Sequence, residues 1–440
     1  MWGFNGNDQF NMSEDTRSKV KFRIVGGGGN DTFNMRGLSR NYLYDVNDED
    51  NAILSRSRTT NMFLNDPVVN EYRFRYDMHD KITFPMITLG ANEDDGLLAG
   101  IGISRTTFGF RKKPFASRHR LSTLFALQRQ AYQVRYAGEF NHAIKYLDVL
   151  VNAELVNPTL NYFFGLGNES KRDMSKPVQY YRARYDYLSA DVLLRKRFFN
   201  DSIISISAGP SFFYYWNDGS RNLGRVLETP SVVGLDSASV YTQKVYGGGK
   251  LSFNIDNLDN RLWPKRGIIW NTELTLYEGM NNNARPYSKL QSDFSLYATL
   301  SHPSNLVAVL RTGGGHIFSE NFEYFQALSL GAHNYLRGFR KNRFNGSSMA
   351  YGTGELRLRL LDFNAYVIKG DFGVIGFGET GRVWMRNESS TKWHNSYGGG
   401  IYLTPFNMVI VSAVLAISEE DKLFNAGIGT RINIVFQGNN

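Results

Sequence analysis

The run Tyr146-Leu147-Asp148-Val149-Leu150-Val151-Asn152-Ala153-Glu154-Leu155 places Leu147, Val149, Val151, Ala153 and Leu155 at one parity and Asp148, Asn152 and Glu154 at the other. Successive side chains of a strand point to opposite faces, so this run reads as a strand with one apolar and one polar wall. The alternation returns in Leu290-Gln291-Ser292-Asp293-Phe294-Ser295-Leu296-Tyr297-Ala298 and in Glu355-Leu356-Arg357-Leu358-Arg359-Leu360. No convincing run of i, i+3, i+4 apolar spacing competes with it. From about residue 80 onward the chain reads as all-β.

Composition narrows the class. The chain has 440 residues, 14% aromatics, 43 Gly, no Cys and a mean hydropathy of −0.36. No stretch approaches the roughly 18 apolar residues of a spanning helix, and so much Tyr and Phe excludes a disordered chain. Without cysteine there is no disulfide framework. The net charge of +9 is spread among 41 acids, with no basic helix and no zinc-ligand spacing, so nucleic acid is not an expected partner. A solvated basic lumen, or a surface beside anionic lipid, accounts for the excess. Met1-Trp2-Gly3-Phe4 lacks the charged and apolar regions of a signal peptide. A mature or truncated piece of an exported chain is the expectation.

Alternation and turn chemistry mark sixteen strands, at 81–92, 96–109, 118–129, 131–141, 144–157, 178–197, 201–216, 239–257, 266–280, 286–301, 304–316, 348–361, 370–386, 394–404, 407–418 and 424–436. Tight connections are expected at Arg111-Lys112-Lys113-Pro114, Phe140-Asn141-His142 and His302-Pro303-Ser304-Asn305, and long ones at 158–177, 217–238 and 317–347. With the first strand running outward, all three long loops fall at one end, as in an outer-membrane barrel. A soluble propeller or stacked sandwich also alternates, but its inner wall is apolar and its strands are shorter. The prediction is a 16-stranded antiparallel transmembrane β-barrel over 81–437, with Phe84, Trp270 and Tyr402 as interfacial aromatics.

Residues 1–66 read as a Gly/Asn-rich β-arch or linker, with 67–80 leading into the barrel. Gly6-Asn7-Asp8-Gln9-Phe10-Asn11 and Gly29-Asn30-Asp31-Thr32-Phe33-Asn34 repeat one pattern, and the second, read from Gly26, fits a calcium-binding nonapeptide. Asp8 and Asp31 are the calcium candidates, since hard oxygen donors suit that ion. Such a site needs stacked neighbouring repeats, and these copies stand far apart in the chain. The expectation is therefore tight turns with Phe10 and Phe33 as plugs, no bound metal and no cofactor.

Four segments carry a resemblance: Tyr335-Leu336-Arg337-Gly338-Phe339-Arg340 in the long loop, Gly354-Glu355-Leu356-Arg357-Leu358-Arg359-Leu360 in the next strand, Gly376-Phe377-Gly378-Glu379-Thr380-Gly381-Arg382-Val383-Trp384 in strand thirteen, and Asp256-Asn257-Leu258-Asp259-Asn260-Arg261-Leu262-Trp263-Pro264-Lys265-Arg266-Gly267 between strands eight and nine. In order and spacing they resemble the bacterial surface antigen family, the BamA/TamA-type superfamily of outer-membrane assembly factors and secretion translocators. One departure is Leu258, where Arg is common.

The resemblance implies a bacterial outer-membrane location and a role in inserting or translocating proteins. It implies that the long loop folds into the lumen and that Arg337, followed by Gly338 and Phe339, pairs with Glu379 beside Gly381. It implies a seam between strands one and sixteen that opens to a client strand. Pro85 in strand one and Gly427 and Gly429 in strand sixteen are the pairing-poor residues expected there. The implied partners are outer-membrane lipid and lipopolysaccharide, unfolded outer-membrane clients, and periplasmic or lipoprotein accessory subunits. No G-x-S-x-G elbow or His/Asp cluster is present, so no enzyme activity is expected. Two alternatives stand beside this reading: an anchor or export pore for an enzyme or passenger preceding residue 1, and a passive anion-preferring porin.

Overall fold

Long strands that are polar on one wall and apolar on the other satisfy their backbone groups in lipid only by closing on themselves. In the computed structural model they do so. It describes residues 1–440 apart from 65–68, 73–80, 111–113, 145, 199–202, 302–304, 333–334, 365–368, 387, 408 and 430–440. Two units are distinguished, Met1–Asp80 and Lys81–Asn440.

The second unit is a closed barrel of sixteen strands among the described residues. They are β1 (Lys81–Asn92), β2 (Gly96–Thr107), β3 (Ser117–Ala126), β4 (Ala131–Ile144), β5 (Leu147–Asn157), β6 (Asp186–Phe198), β7 (Ile204–Trp216), β8 (Lys244–Asp256), β9 (Gly267–Gly279), β10 (Tyr287–Thr299), β11 (Leu306–Ile317), β12 (Ser348–Asn364), β13 (Lys369–Trp384), β14 (His394–Leu403), β15 (Ile410–Ser418) and β16 (Lys422–Gly429). Each pairs antiparallel with its neighbour in the chain, and β16 returns to β1.

The two walls fall as the alternation requires. Leu356, Leu358 and Leu360 of β12 point outward, while Glu355 and Arg357 are buried inside. On β5, Asp148 is buried in the lumen, where it receives Arg195 at 3.0 Å and Arg197 at 2.7 Å.

Several boundaries differ from the sequence reading for local reasons. β6 starts at Asp186, because Pro177 leads into a 3-10 turn at Val178–Tyr181. β8 starts at Lys244, because Asp236 caps a short helix at Ser237–Tyr241 by accepting from the Ala238 N–H. β4 runs through a bulge to Ile144, so Phe140-Asn141-His142 is not a turn. Of the expected interfacial aromatics, Phe84 and Trp270 are exposed. Tyr402 instead faces the lumen, where it packs 4.3 Å from the Trp263 ring. The turns at 111–113 and 302–304 and most of the 67–80 linker lie outside the described residues.

The long connections all leave the same end of the barrel and fill it. Tyr324 and Phe325, from the segment after β11, are buried against Phe163, Tyr185, Phe213 and Tyr215. The Tyr215 and Phe325 rings stack at 4.2 Å. Stacked aromatics of this kind add roughly 0.5–1.5 kcal/mol beyond their area.

The first unit is two parallel three-stranded sheets. One holds Gln9–Met12, Thr32–Met35 and Ala52–Arg56; the other holds Lys21–Val25, Arg40–Tyr44 and Thr59–Asn61. The two Gly-Asn-Asp copies are adjacent rungs, with Gln9 opposite Thr32 and Phe10 stacked on Phe33 at 5.3 Å. Separation in the chain therefore does not separate them in space: the chain from one copy to the next makes a single turn of the stack. The turn at Gly27 and Gly29 has φ of +118° and +135°, which only glycine adopts without strain.

Candidate functional site

The β11–β12 connection enters the lumen because its side chains find partners on the inner wall. A Cβ on Gly338 would stand 2.8 Å from the Ile417 main chain and 2.8 Å from the Ser396 Cβ, so glycine permits close approach here. Its φ is not in the left-handed region. Beside it, Phe339 is fully buried, 5.2 Å from the Phe344 ring and 5.7 Å from the His394 ring. Gly381 leaves room on β13 for Leu330 and Leu336, which a Cβ would press at 3.0 and 3.4 Å.

Arg337 is 5% exposed and Glu379 6%. The Arg337 Nε donates to Glu379 Oε1 at 2.6 Å, and its main-chain N–H donates to Oε2 at 2.5 Å. Ser396 Oγ also donates to Oε2, at 2.6 Å. The guanidinium reaches further, to Glu355 Oε2 at 2.8 Å, and lies 3.5 Å over the Phe377 ring. Glu355 in turn receives Arg357 at 2.6 Å, and Arg357 stacks 4.3 Å over Trp263. Two cations thus face two carboxylates, and all four carboxylate oxygens meet a donor. That arrangement lets buried charges remain buried, whereas removal of one partner costs about 3–5 kcal/mol. Glu355 and Ser396 are members of this network that the sequence reading did not assign. Parity on β12 already placed Glu355 inward, but nothing local indicated that Arg337 would reach it.

A second cluster sits three residues on. Arg340 donates to Glu93 and Asp94, both at 2.9 Å, and to Asp421 at 3.2 Å. The Lys341 N–H donates to Asp94 Oδ2 at 3.0 Å. Arg343 pairs with Glu420 at 2.6 Å, and Arg172 with Asp421 at 2.9 Å. Glu93 and Asp94 form the β1–β2 turn; Glu420 and Asp421 form the β15–β16 turn. One loop therefore ties together the outer tips on both sides of the closure.

At the closure itself, four residue pairs join β16 to β1 among the described residues: Asn425–Asn92, Ala426–Ala91, Gly427–Gly90 and Ile428–Leu89. β1 and β2 share twelve. Gly427 thus opposes another glycine. Pro85 lies in the part of β1, 81–88, that pairs with β2 and has no described partner on β16. Gly429 pairs with Ile410 of β15, at the last described residue of β16. The structure brings Arg337, Gly338, Phe339, Glu379 and Gly381 into one cluster and places Pro85, Gly427 and Gly429 at the closure, apart from it. Asp8 and Asp31 belong to the first unit.

Residues 105–432 match the model of the Omp85 superfamily domain. Among solved structures, BamA from Haemophilus ducreyi lacking POTRA domains 1–3 is similar at 15% identity and a TM-score of 0.53, over 78% of this chain and 70% of that one. CdiB from Acinetobacter baumannii is similar at 12% identity and a TM-score of 0.48, over 80% of this chain and 60% of that one. CdiB from Escherichia coli is similar at 11% and 0.48, over 78% and 62%. At these identities the likeness speaks for the fold alone. No protein of curated function matches the sequence.

Proposed function

This chain belongs to the Omp85 superfamily and is a bacterial outer-membrane β-barrel; from that premise we propose that it inserts proteins into, or passes them across, the outer membrane through the β1/β16 closure. The observation that carries the proposal is the make-up of the closing strands: Gly427 of β16 stands opposite Gly90 of β1, and β1 carries Pro85, which has no N–H to give to a ladder. Once the closure parts, the freed edge of β1 offers N–H and C=O groups to any incoming strand, which admits clients of many sequences. Gly427 opposite Gly90 keeps side-chain packing across the closure low.

The lumen loop has two tasks in this reading. Arg337, held by Glu379 and Glu355, fixes the loop in the barrel; Arg340 and Arg343 hold the outer tips of β1 and β16 together. Opening of the closure then requires these tip contacts to release. No covalent step is required: client folding and thinning of the bilayer beside a sparsely packed closure supply the driving force. Outer-membrane lipid and unfolded barrel precursors are the partners this mechanism needs, with accessory subunits delivering the precursors. The buried aromatics at the long-loop end favour this reading over a passive porin.

Photocrosslinking in cells from Thr83 and Thr88 of β1 tests it. Capture of unfolded barrel precursors or secreted passengers is the expected result. Capture of nothing beyond the chain's own β16 would overturn it.

A further inference from the structure

The first unit carries an arrangement that the barrel's function does not use. Asp31 and Asp45 sit on successive rungs of the stack and are each 0% exposed. Asp31 spends Oδ1 on the Asp8 N–H at 2.7 Å, and Asp45 spends Oδ1 on the Val46 N–H at 2.9 Å and Asn70 Nδ2 at 2.8 Å. The second oxygen of each carboxylate is buried with no hydrogen-bond partner. Both face one spot, for a Cβ on Gly26 would collide with Oδ2 of Asp31 and Oδ2 of Asp45 alike. Asn70, which donates to Asp45, has its own Oδ1 buried and unpaired. No Lys or Arg pairs with Asp31, Asp45 or Glu49 among the described residues.

We infer that Asp31 and Asp45, with Asn70 as a further oxygen donor, form a binding site for one calcium ion per chain. Like charges in a shared dry space need a counter-charge or a proton, and no side chain among the described residues supplies the charge. All the free donors are hard oxygens, which suits calcium. The glycine at 26 is what opens the space. The assignment differs from the repeat pattern: Asp45 lies outside both Gly-Asn-Asp copies. Asp8 faces Gly3 and lacks a second carboxylate, because Gly26 occupies the position on its neighbouring rung that Asp45 takes on the next. The inference is independent of how the barrel acts.

The test uses the full chain, folded in detergent, stripped with chelator and titrated with calcium chloride. Binding is read by calorimetry, and order in the first unit by limited proteolysis. The expected result is one site per chain with calcium-dependent protection of residues 1–80. Asp31→Asn and Asp45→Asn should each weaken binding about tenfold or more, with Asp8→Asn within about twofold of the parent. Asp45→Asn relieves like-charge repulsion, so its first unit should resist protease without calcium while being blind to it. The barrel's heat shift on a gel reports that the rest is intact. No binding at millimolar calcium would overturn the inference. So would equal losses for Asp8→Asn and Asp45→Asn, or a shared proton in place of the ion, seen as protection that falls with rising pH and is not restored by calcium.

Discussion

Glu355 and Glu379 in the barrel lumen and Asp31 and Asp45 in the first unit are four buried carboxylates held in opposite ways. The lumen pair faces Arg337 and Arg357, and the oxygens of both meet donors. The pair in the stack faces itself, each with one oxygen bare. Burying an anion is costly in either place. A covalently attached counter-charge settles that cost permanently and makes the lumen loop part of the barrel. Leaving it to a diffusible ion makes the first unit conditional on the medium.

The contrast orders the expected effects of substitution. Arg337→Ala leaves Glu379 and part of Glu355 uncompensated and should cost about 3–5 kcal/mol, read as loss of the heat-resistant band on a gel. Combining it with Glu379→Ala should cost little more than either alone, and full additivity would break the pairing. Arg340→Gln should cost less, on the order of 1–3 kcal/mol. Because it frees the outer tips of β1 and β16, it should also raise crosslinking from Thr83 and Thr88, which simple destabilisation elsewhere in the barrel would not do.

The stack should respond to pH. Burial, then the charges of Asp31 and Glu49, push the Asp45 carboxyl from an ordinary 3.8 up to about 7, against hydrogen bonds from Asn70 and Val46 that pull it down. A raised carboxyl favours the folded state only while protonated. In chelator, protease resistance of residues 1–80 should therefore be full below about pH 4, fall as pH rises to about 7 and stay level above. Calcium should flatten the profile, and Asp45→Asn should do so without calcium. The smallest effect is expected at Arg386 and Glu320, a pair with side chains 74% and 71% exposed. Arg386→Ala should change stability by under about 0.5 kcal/mol, which isolates burial as the cause of the larger losses.

Much of the barrel was legible because its signal is local. Period two in β5, β10 and β12 fixes which side chains face lipid, and turn residues separate the strands. The pairing of Arg337 with Glu379 came from the resemblance together with parity on β13. What escaped was long-range. Arg340 meets carboxylates from Glu93 and Asp421, near opposite ends of the barrel sequence, which come together only when the sheet closes. Tyr402 has the near-end position of an interfacial aromatic, but Trp263 in the β8–β9 turn draws it inward. In the first unit, parallel rungs set a whole coil apart do not look like neighbours in a linear reading. So the facing of Asp31 and Asp45 was invisible until the strands were paired.

The central claim is that the β1/β16 closure is the route. Because the chain has no cysteine, Ala91→Cys with Ala426→Cys, a directly opposed pair, introduces a single lock. Delivery of a client barrel into the membrane, measured in cells with and without reductant, should stop when the lock is oxidised and return when it is reduced. Undiminished delivery through a fully oxidised closure would contradict the account.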